Sequence, residues 1–387
     1  MKNNISIAYI LTFAKHTWFW LGIWIFYYLR FTNYAGIGLI ETVLIVTMTL
    51  TEIPTGAVAD LLGKRKTLIL AFLLEAIGAF IFAYSPNFNI ILISVFIMCV
   101  GGTFYSGTLD ALVFDSLKSV GKESKFDKVI SNISSISLIT PALCGLIGGY
   151  LYVIGFRIPF ILNAIGYTLG MIAAFFLVEP KIDTVKFSLT GYFDQMKNGI
   201  KQLFKDRTII KNTLLLLSIG TILIISGEML DSFLSFEFGF NNIQMGYLWS
   251  GLFVISAISS QFTSFIKKTF GVHNSIIYIG IIVCITFLLA PFLGIILGGT
   301  ILFLRRSVQS ILSNLTSEEI NINTESKYRA TTISTFNMLN NIPYVFLAFF
   351  IGSISDIISA KTVSLYLGVI LIILLGIILF RRRRDSF

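Results

Sequence analysis

Histidine is nearly absent from this chain: His16 and His273 are the only two in 387 residues. Cysteine is hardly commoner, and Cys99, Cys144 and Cys284 each sit inside an apolar run. Metal centres and most acid–base or thiol sites need His, Cys or carboxylates clustered at one depth. No such spacing occurs, and no nucleotide or nucleophile motif is present. No enzyme, cofactor or metal site is therefore expected. Charge is scarce too: Asp, Glu, Lys and Arg make up 13% of the chain against 55% hydrophobic residues. Mean hydropathy is +0.85. Soluble domains carry about 25% charged residues, so a soluble protein is excluded.

What the chain has in abundance is apolar sequence in runs of about 20 residues, the length that spans a bilayer as a helix. Twelve such stretches are expected, near 5–28, 36–58, 66–84, 88–117, 129–152, 157–178, 209–236, 243–265, 273–291, 294–315, 329–353 and 362–380. Pro86-Asn87, Gly155, Pro180 and Gly271 punctuate them. The first is too long for a signal-peptide core and lacks a small-residue cleavage site, so it reads as a span.

The net charge of +9 does not form a nucleic-acid patch. With both termini in the cytoplasm, 23 of the 29 Lys and Arg fall in cytoplasmic segments, from Lys2 and Lys64–Lys66 to Arg381–Arg384. The outer segments hold only Arg30, Arg157 and Lys361, the asymmetry that sets membrane topology. One long polar segment interrupts the spans. Within it Phe193, Met196, Ile200, Leu203 and Phe204 recur at helical spacing, as in an amphipathic helix on the membrane surface. This divides the chain into an N-terminal bundle of six helices (1–180), a cytoplasmic linker (181–208) and a C-terminal bundle of six (209–387) with a basic tail.

The stretch TEIPTGAVADLLGKRK, residues 51–66, carries unusual polar chemistry for a membrane edge. Its GAVADLLGKRK resembles the loop motif of the major facilitator superfamily. Gly56, Asp60, Gly63, Lys64, Arg65 and Lys66 fall on motif positions, while Leu61 stands where a basic residue is usual. The resemblance implies an all-α integral membrane fold of twelve transmembrane helices in two six-helix bundles. It also implies that Asp60 and Lys64 join Asp115 in a cytoplasmic gating latch. SGTLDALVFDSL and YRATTIST look like a bacterial branch of putative drug exporters. SLITPALCGLIGGY partly matches the fifth-span pattern of drug–proton antiporters, with Gly148 and Gly149 in place.

Ionisable residues inside spans are costly and mark candidate sites. Asp110, Glu228, Glu52, Asp231 and His16 are candidates for proton coupling. Lys15, Arg305 and Arg306 are candidate charge partners: Lys15 could meet Glu52 or Asp110, and Arg305 could meet Glu228. Glu75 reads more simply as a packing acid. Trp18 and Trp20 lie too deep for an interfacial belt and could line a cavity for flat, greasy molecules. The expectation is a monomeric secondary transporter in the bacterial cytoplasmic membrane. It would export a hydrophobic or amphipathic small molecule by proton antiport, as in multidrug efflux. The alternatives are a proton symporter importing a small polar nutrient, and a transporter-fold sensor.

Overall fold

In a computed structural model the described residues, 2–180, 189–325 and 328–384, form helices and short turns. Gly56 and Asp60 lie in a helical stretch described for backbone only. Residues 181–188 of the central segment lie outside the description altogether.

The helices in chain order are α1 (Lys2–Lys15), α2 (Trp24–Tyr28), α3 (Tyr34–Leu62), α4 (Lys64–Ala83), α5 (Phe88–Tyr105) and α6 (Thr108–Lys118). Next come α7 (Phe126–Ile154), α8 (Ile158–Ala174), α9 (Leu189–Leu203), α10 (Arg207–Ile225), α11 (Asp231–Phe238) and α12 (Asn242–Gln261). The last are α13 (Thr263–Phe270), α14 (Val272–Leu289), α15 (Ile295–Asn323), α16 (Arg329–Ile358) and α17 (Ala360–Arg384). A π-helical turn, Ser226–Leu230, joins α10 to α11.

Ten stretches among the described residues are long and apolar enough to cross a membrane. Large apolar side chains such as Ile296, Phe346 and Ile357 point outward from the helices. In water they would be a liability; in hydrocarbon they are the expected outer face. Two expected spans fall short of this measure. Residues 157–178 yield the 17-residue α8. Residues 5–28 do not form one helix, because the chain leaves helical geometry between α1 and α2.

That break is built by local side chains. The last four carbonyls of a helix lack intrahelical partners, and here each is capped. The His16 backbone N–H donates to Thr12 O and Phe13 O at 3.2 and 3.1 Å. Thr17 Oγ1 donates to Ala14 O at 2.9 Å, and Trp18 Nε1 to Lys15 O at 3.1 Å. The His16 ring also meets Thr12 O, through Nδ1 at 2.8 Å. A carbonyl only accepts, so Nδ1 carries the hydrogen. Gly22 then turns with φ +78°, and a Cβ there would lie 2.7 Å from Met245 O.

The chain divides into two compact units. The first comprises Met1–Thr32, Thr42–Ser188 and Asn242–Ser250; the second Asn33–Glu41, Leu189–Asn241 and Gly251–Phe387. In the first, α4 packs between α5 and α8. In the second, α9 lies along α16, burying Gly199 and Leu203 while Ile200 and Phe204 stay exposed. Of the apolar residues expected to form one stripe, Leu203 thus finds cover against its own unit while Ile200 and Phe204 do not.

Three helix starts are capped by distant carboxylates. Glu179 accepts from the N–H groups of Lys64 and Arg65 at 2.8 and 2.7 Å, at the start of α4. Glu237 accepts from Ala360 and Lys361 at 2.7 and 3.0 Å, at the start of α17. Asp356 accepts from Tyr34 and Ala35 at 3.0 and 2.8 Å, at the start of α3. Each anion satisfies orphan donors and complements the helix dipole. Gly63, φ +84°, lets the chain turn tightly beneath Glu179. Glu179→Ala removes both caps of α4 and should lower stability by about 1–2 kcal/mol. Unfolding in detergent measures the loss, and faster amide exchange confined to Lys64 and Arg65 assigns it to the cap.

Candidate functional site

In the first unit, the end of α1 brings Lys15 to Glu75 of α4, and the two form an ion pair. Glu75 is only 3% exposed, and its Oε2 has no hydrogen-bond partner. Lys15 Nζ also lies 5.2 Å from the Tyr105 ring centre and 5.6 Å from that of Tyr167. Two aromatic faces therefore share the cation with the carboxylate. Glu75, which the sequence assigned to packing, takes the place expected of Glu52 or Asp110. Those two acids are exposed, Glu52 on α3 and Asp110 in the first turn of α6. Lys15, on the last turn of α1, reaches across to α4 although α1 packs chiefly against α6, α7 and α8, which periodicity alone does not single out.

Next to this pair, in the break after α1, the rings of His16, Trp18 and Trp20 follow one another at centroid spacings of 5.3 and 5.5 Å. All three are half-buried. At the other end of α4, Lys64 Nζ pairs with Asp115 of α6. Arg65 Nη2 donates to Phe175 O at 2.7 Å.

In the second unit, Arg305 of α15 is 1% exposed and makes the full set of bonds open to a guanidinium. Nε donates to Thr286 Oγ1 at 3.2 Å. Nη1 donates to Asp231 Oδ1 at 2.8 Å and Ser226 Oγ at 3.3 Å. Nη2 donates to Thr286 O at 2.9 Å and Ser364 Oγ at 3.2 Å. Five donors meet five acceptors. The hydroxyl protons are committed as well: Ser226 to Asp231 Oδ1, Thr286 to Val283 O and Ser364 to Phe287 O. The Phe287 ring lies 3.8 Å from the guanidinium carbon. Arg305 thus joins Asp231, not Glu228 as its sequence position suggested. The π-helical turn shifts the register between the two acids and brings Asp231 round to Arg305.

Glu228 lies inside that π turn, deep among protein atoms but still open on one side. Its electrostatic neighbour of opposite sign is Arg306, whose Nη1 donates to Gln309 Oε1 at 2.9 Å. In the same unit Glu41 of α3 is a second carboxylate, and it is buried. The hydroxyl of Tyr344, on α16, donates to Glu41 Oε2 at 3.1 Å. Glu41 and Tyr344 were missed in the sequence. Glu41 carried a readable signal, an acid inside an apolar run, by the same criterion that picked out Glu52.

Charged side chains placed inside apolar helices long enough to cross a membrane, one set locked and one open, fit a multi-pass membrane protein. The chain belongs to the Major Facilitator Superfamily, whose family model matches residues 5–342. It is 23% identical over 234 residues to YxaM of Bacillus subtilis (strain 168), an uncharacterized MFS-type transporter. That match covers 59% of this chain and 57% of the relative. Among solved structures, the nucleoside transporter NupG aligns with a TM-score of 0.78 at 16% identity, covering 97% of this chain and 98% of that one. A POT family transporter in complex with a thioalcohol-conjugated peptide aligns at 0.69 and 14% identity, covering 99% and 96%.

These matches correct one expectation. The similar solved proteins handle nucleosides and peptides and none of those named is a drug exporter, so the assignment as an antiporter for efflux and multidrug resistance falls. The sequence had leaned on a fifth-span glycine pattern that was only partly present. Small residues there serve close packing: a Cβ at Gly149 would lie 2.5 Å from Asn242 O within the same unit.

The two kinds of acid should respond differently to mutation. Asp231→Ala strands a buried guanidinium and should cost about 3–5 kcal/mol. Glu228→Gln leaves no buried charge unpaired and should unfold close to the parent. Thermal unfolding of both variants in one detergent makes the comparison.

Proposed function

We propose that the protein is a proton-coupled symporter that takes a small polar molecule into the cell by alternating access. The observation that carries this reading is Glu228 on its π-helical turn, open on one side and with Arg306 as its counter-charge. A carboxylate that serves transport must gain and lose a proton while remaining reachable. Asp231 is fully committed to Arg305, which fits a structural part. π-Helical turns inside α-helices occur frequently at functional sites. Glu228 is the proton carrier in this reading, and Glu52 and Asp110 are not needed for coupling. His16 serves as the cap of α1.

The cargo class follows from the polar groups on offer and from the nucleosides and peptides handled by structurally similar proteins. Trp18 and Trp20 supply flat faces against which a ring could stack. The architecture proposed is twelve spans in two bundles of six, 1–180 and 209–387, with both termini cytoplasmic, an orientation supported by the distribution of Lys and Arg. In that orientation Lys64, Asp115 and Glu179 lie on the cytoplasmic side. Lys64 and Asp115 form the gating latch there; the side chain of Asp60, expected to join it, lies outside the described residues.

Reconstituted vesicles test the reading. With acid outside, nucleosides or dipeptides should accumulate above equilibrium while a trapped dye reports proton entry. Glu228→Gln should abolish accumulation and keep exchange of internal for external substrate. Uptake that ignores the pH gradient and moves no protons would refute proton coupling.

A further inference from the structure

Helix α9 leaves part of its surface without protein cover. Gly199 sets how closely it lies on α16: a Cβ there would come within 2.3 Å of Thr335 Oγ1 and 3.2 Å of Thr331 O. Thr331 and Thr335 stand in the first two turns of α16, which starts at Arg329. The apolar, membrane-crossing stretch of that helix begins at Thr331. Helix α9 therefore rests against the end of a span, at the depth where hydrocarbon gives way to headgroups.

Successive residues on a helix turn by about 100°. Gly199 and Leu203 are buried and define the side toward the protein. Lys201 stands two residues from each of them, so it projects from the opposite side. Lys197 lies one turn before it, and Lys205 comes in the turn that follows α9; all three are exposed. Ile200 and Phe204 border this lysine stripe on one flank, 38% and 37% exposed. The Phe204 N–H donates to Ile200 O at 3.2 Å, which keeps the two side chains in helical register. Arg207, also exposed, adds a fourth cation. Two described acids accompany them. Asp206 Oδ1 accepts from the Ile209 N–H at 3.0 Å and so caps α10. Asp194 is exposed and offsets one of the four charges. Among the described residues, none of Lys197, Lys201 and Lys205 forms an ion pair.

We propose that this face of α9 docks on the bilayer by binding the phosphates of anionic lipid headgroups. Lys197, Lys201 and Lys205 make the contacts, and Ile200 and Phe204 seat among the outermost acyl carbons. Lysine stems pass along apolar surface and carry their ammonium groups out to the phosphate level, as in helices that lie in the interface. Charge selects the lipid. A zwitterionic headgroup brings its own cation beside the phosphate, whereas an anionic one offers an uncompensated charge to the stripe. The proposal is independent of the transport reading and of membrane orientation; in the orientation proposed above, the leaflet is the cytoplasmic one. Helix α9 is then held on two sides, by α16 and by lipid, and the composition of the leaflet sets how firmly the segment between the two halves of the chain is held.

The test is amide hydrogen exchange of the full-length protein in nanodiscs of phosphatidylcholine, with and without phosphatidylglycerol. Exchange over residues 196–203 should slow about tenfold when the anionic lipid is present, since each basic side chain near an anionic surface adds a favourable increment. The effect should fade at about 1 M salt, where the screening length drops to about 3 Å. The triple replacement Lys197→Gln, Lys201→Gln and Lys205→Gln should abolish the difference between the two lipids, and Lys201→Gln alone should reduce it. The corresponding triple replacement by Glu should reverse it, so that α9 is protected in discs carrying a cationic lipid. Unchanged exchange around Arg305 checks that each variant is folded. Equal exchange of the parent α9 in both kinds of disc overturns the proposal, and so does a lipid effect that survives the triple Gln replacement. Inorganic phosphate that slows exchange in phosphatidylcholine discs as much as phosphatidylglycerol does would assign the face to a free anion and overturn it too.

Discussion

A charge within a bilayer has no water to solvate it, so it needs a partner in the protein or access to a water-filled path. Much of this chain's polar chemistry follows from that constraint. Arg305 shows its strictest form, a guanidinium with every donor matched and every neighbouring hydroxyl oriented by a bond of its own. Such a network gives little freedom to any member. It holds α15 against α11, α14 and α17, and so it fixes the frame in which Arg306 and Glu228 stand. The residue next in sequence to the lock points elsewhere, because neighbours on a helix diverge by about 100°.

The first unit solves the same problem with less symmetry. Lys15 and Glu75 neutralise each other, and two tyrosine rings take up part of the cation's field. One carboxylate oxygen stays without a bond. The pair sits where α1 ends, and that end is closed by His16, Thr17 and Trp18 acting on the carbonyls behind them. A helix can stop inside an apolar environment only if its last carbonyls are served in this way. Trp18 is held by the same bond that caps Lys15, so the aromatic series begins from a fixed point.

The membrane character, the family and the Lys64–Asp115 pair could be read from the chain itself: hydropathy, the distribution of basic residues and GAVADLLGKRK carried them. The break after α1 could not, since residues 16–23 are as apolar as a continuous span and contain one glycine. The π turn was equally hidden, because inserting one residue into a helical turn leaves composition unchanged. Ion-pair partners depend on helix rotation and packing order, which is why Lys15 and Arg305 each found a different acid from the one their sequence positions suggested. Transport direction had the weakest basis, a partial glycine pattern whose residues answer to backbone packing.

The helix caps have a consequence for the order in which the molecule can be completed. Glu179 follows the α4 start it caps by 115 residues, and Asp356 follows the α3 start by 322. During synthesis the amides of Tyr34 and Ala35 at the head of α3 wait for this carboxylate until residue 356 has been made. Its N-terminus is finished by almost the last helix to be made. The chain thereby carries a built-in marker of progress, since a polypeptide truncated before residue 356 lacks the carboxylate that closes this helix start.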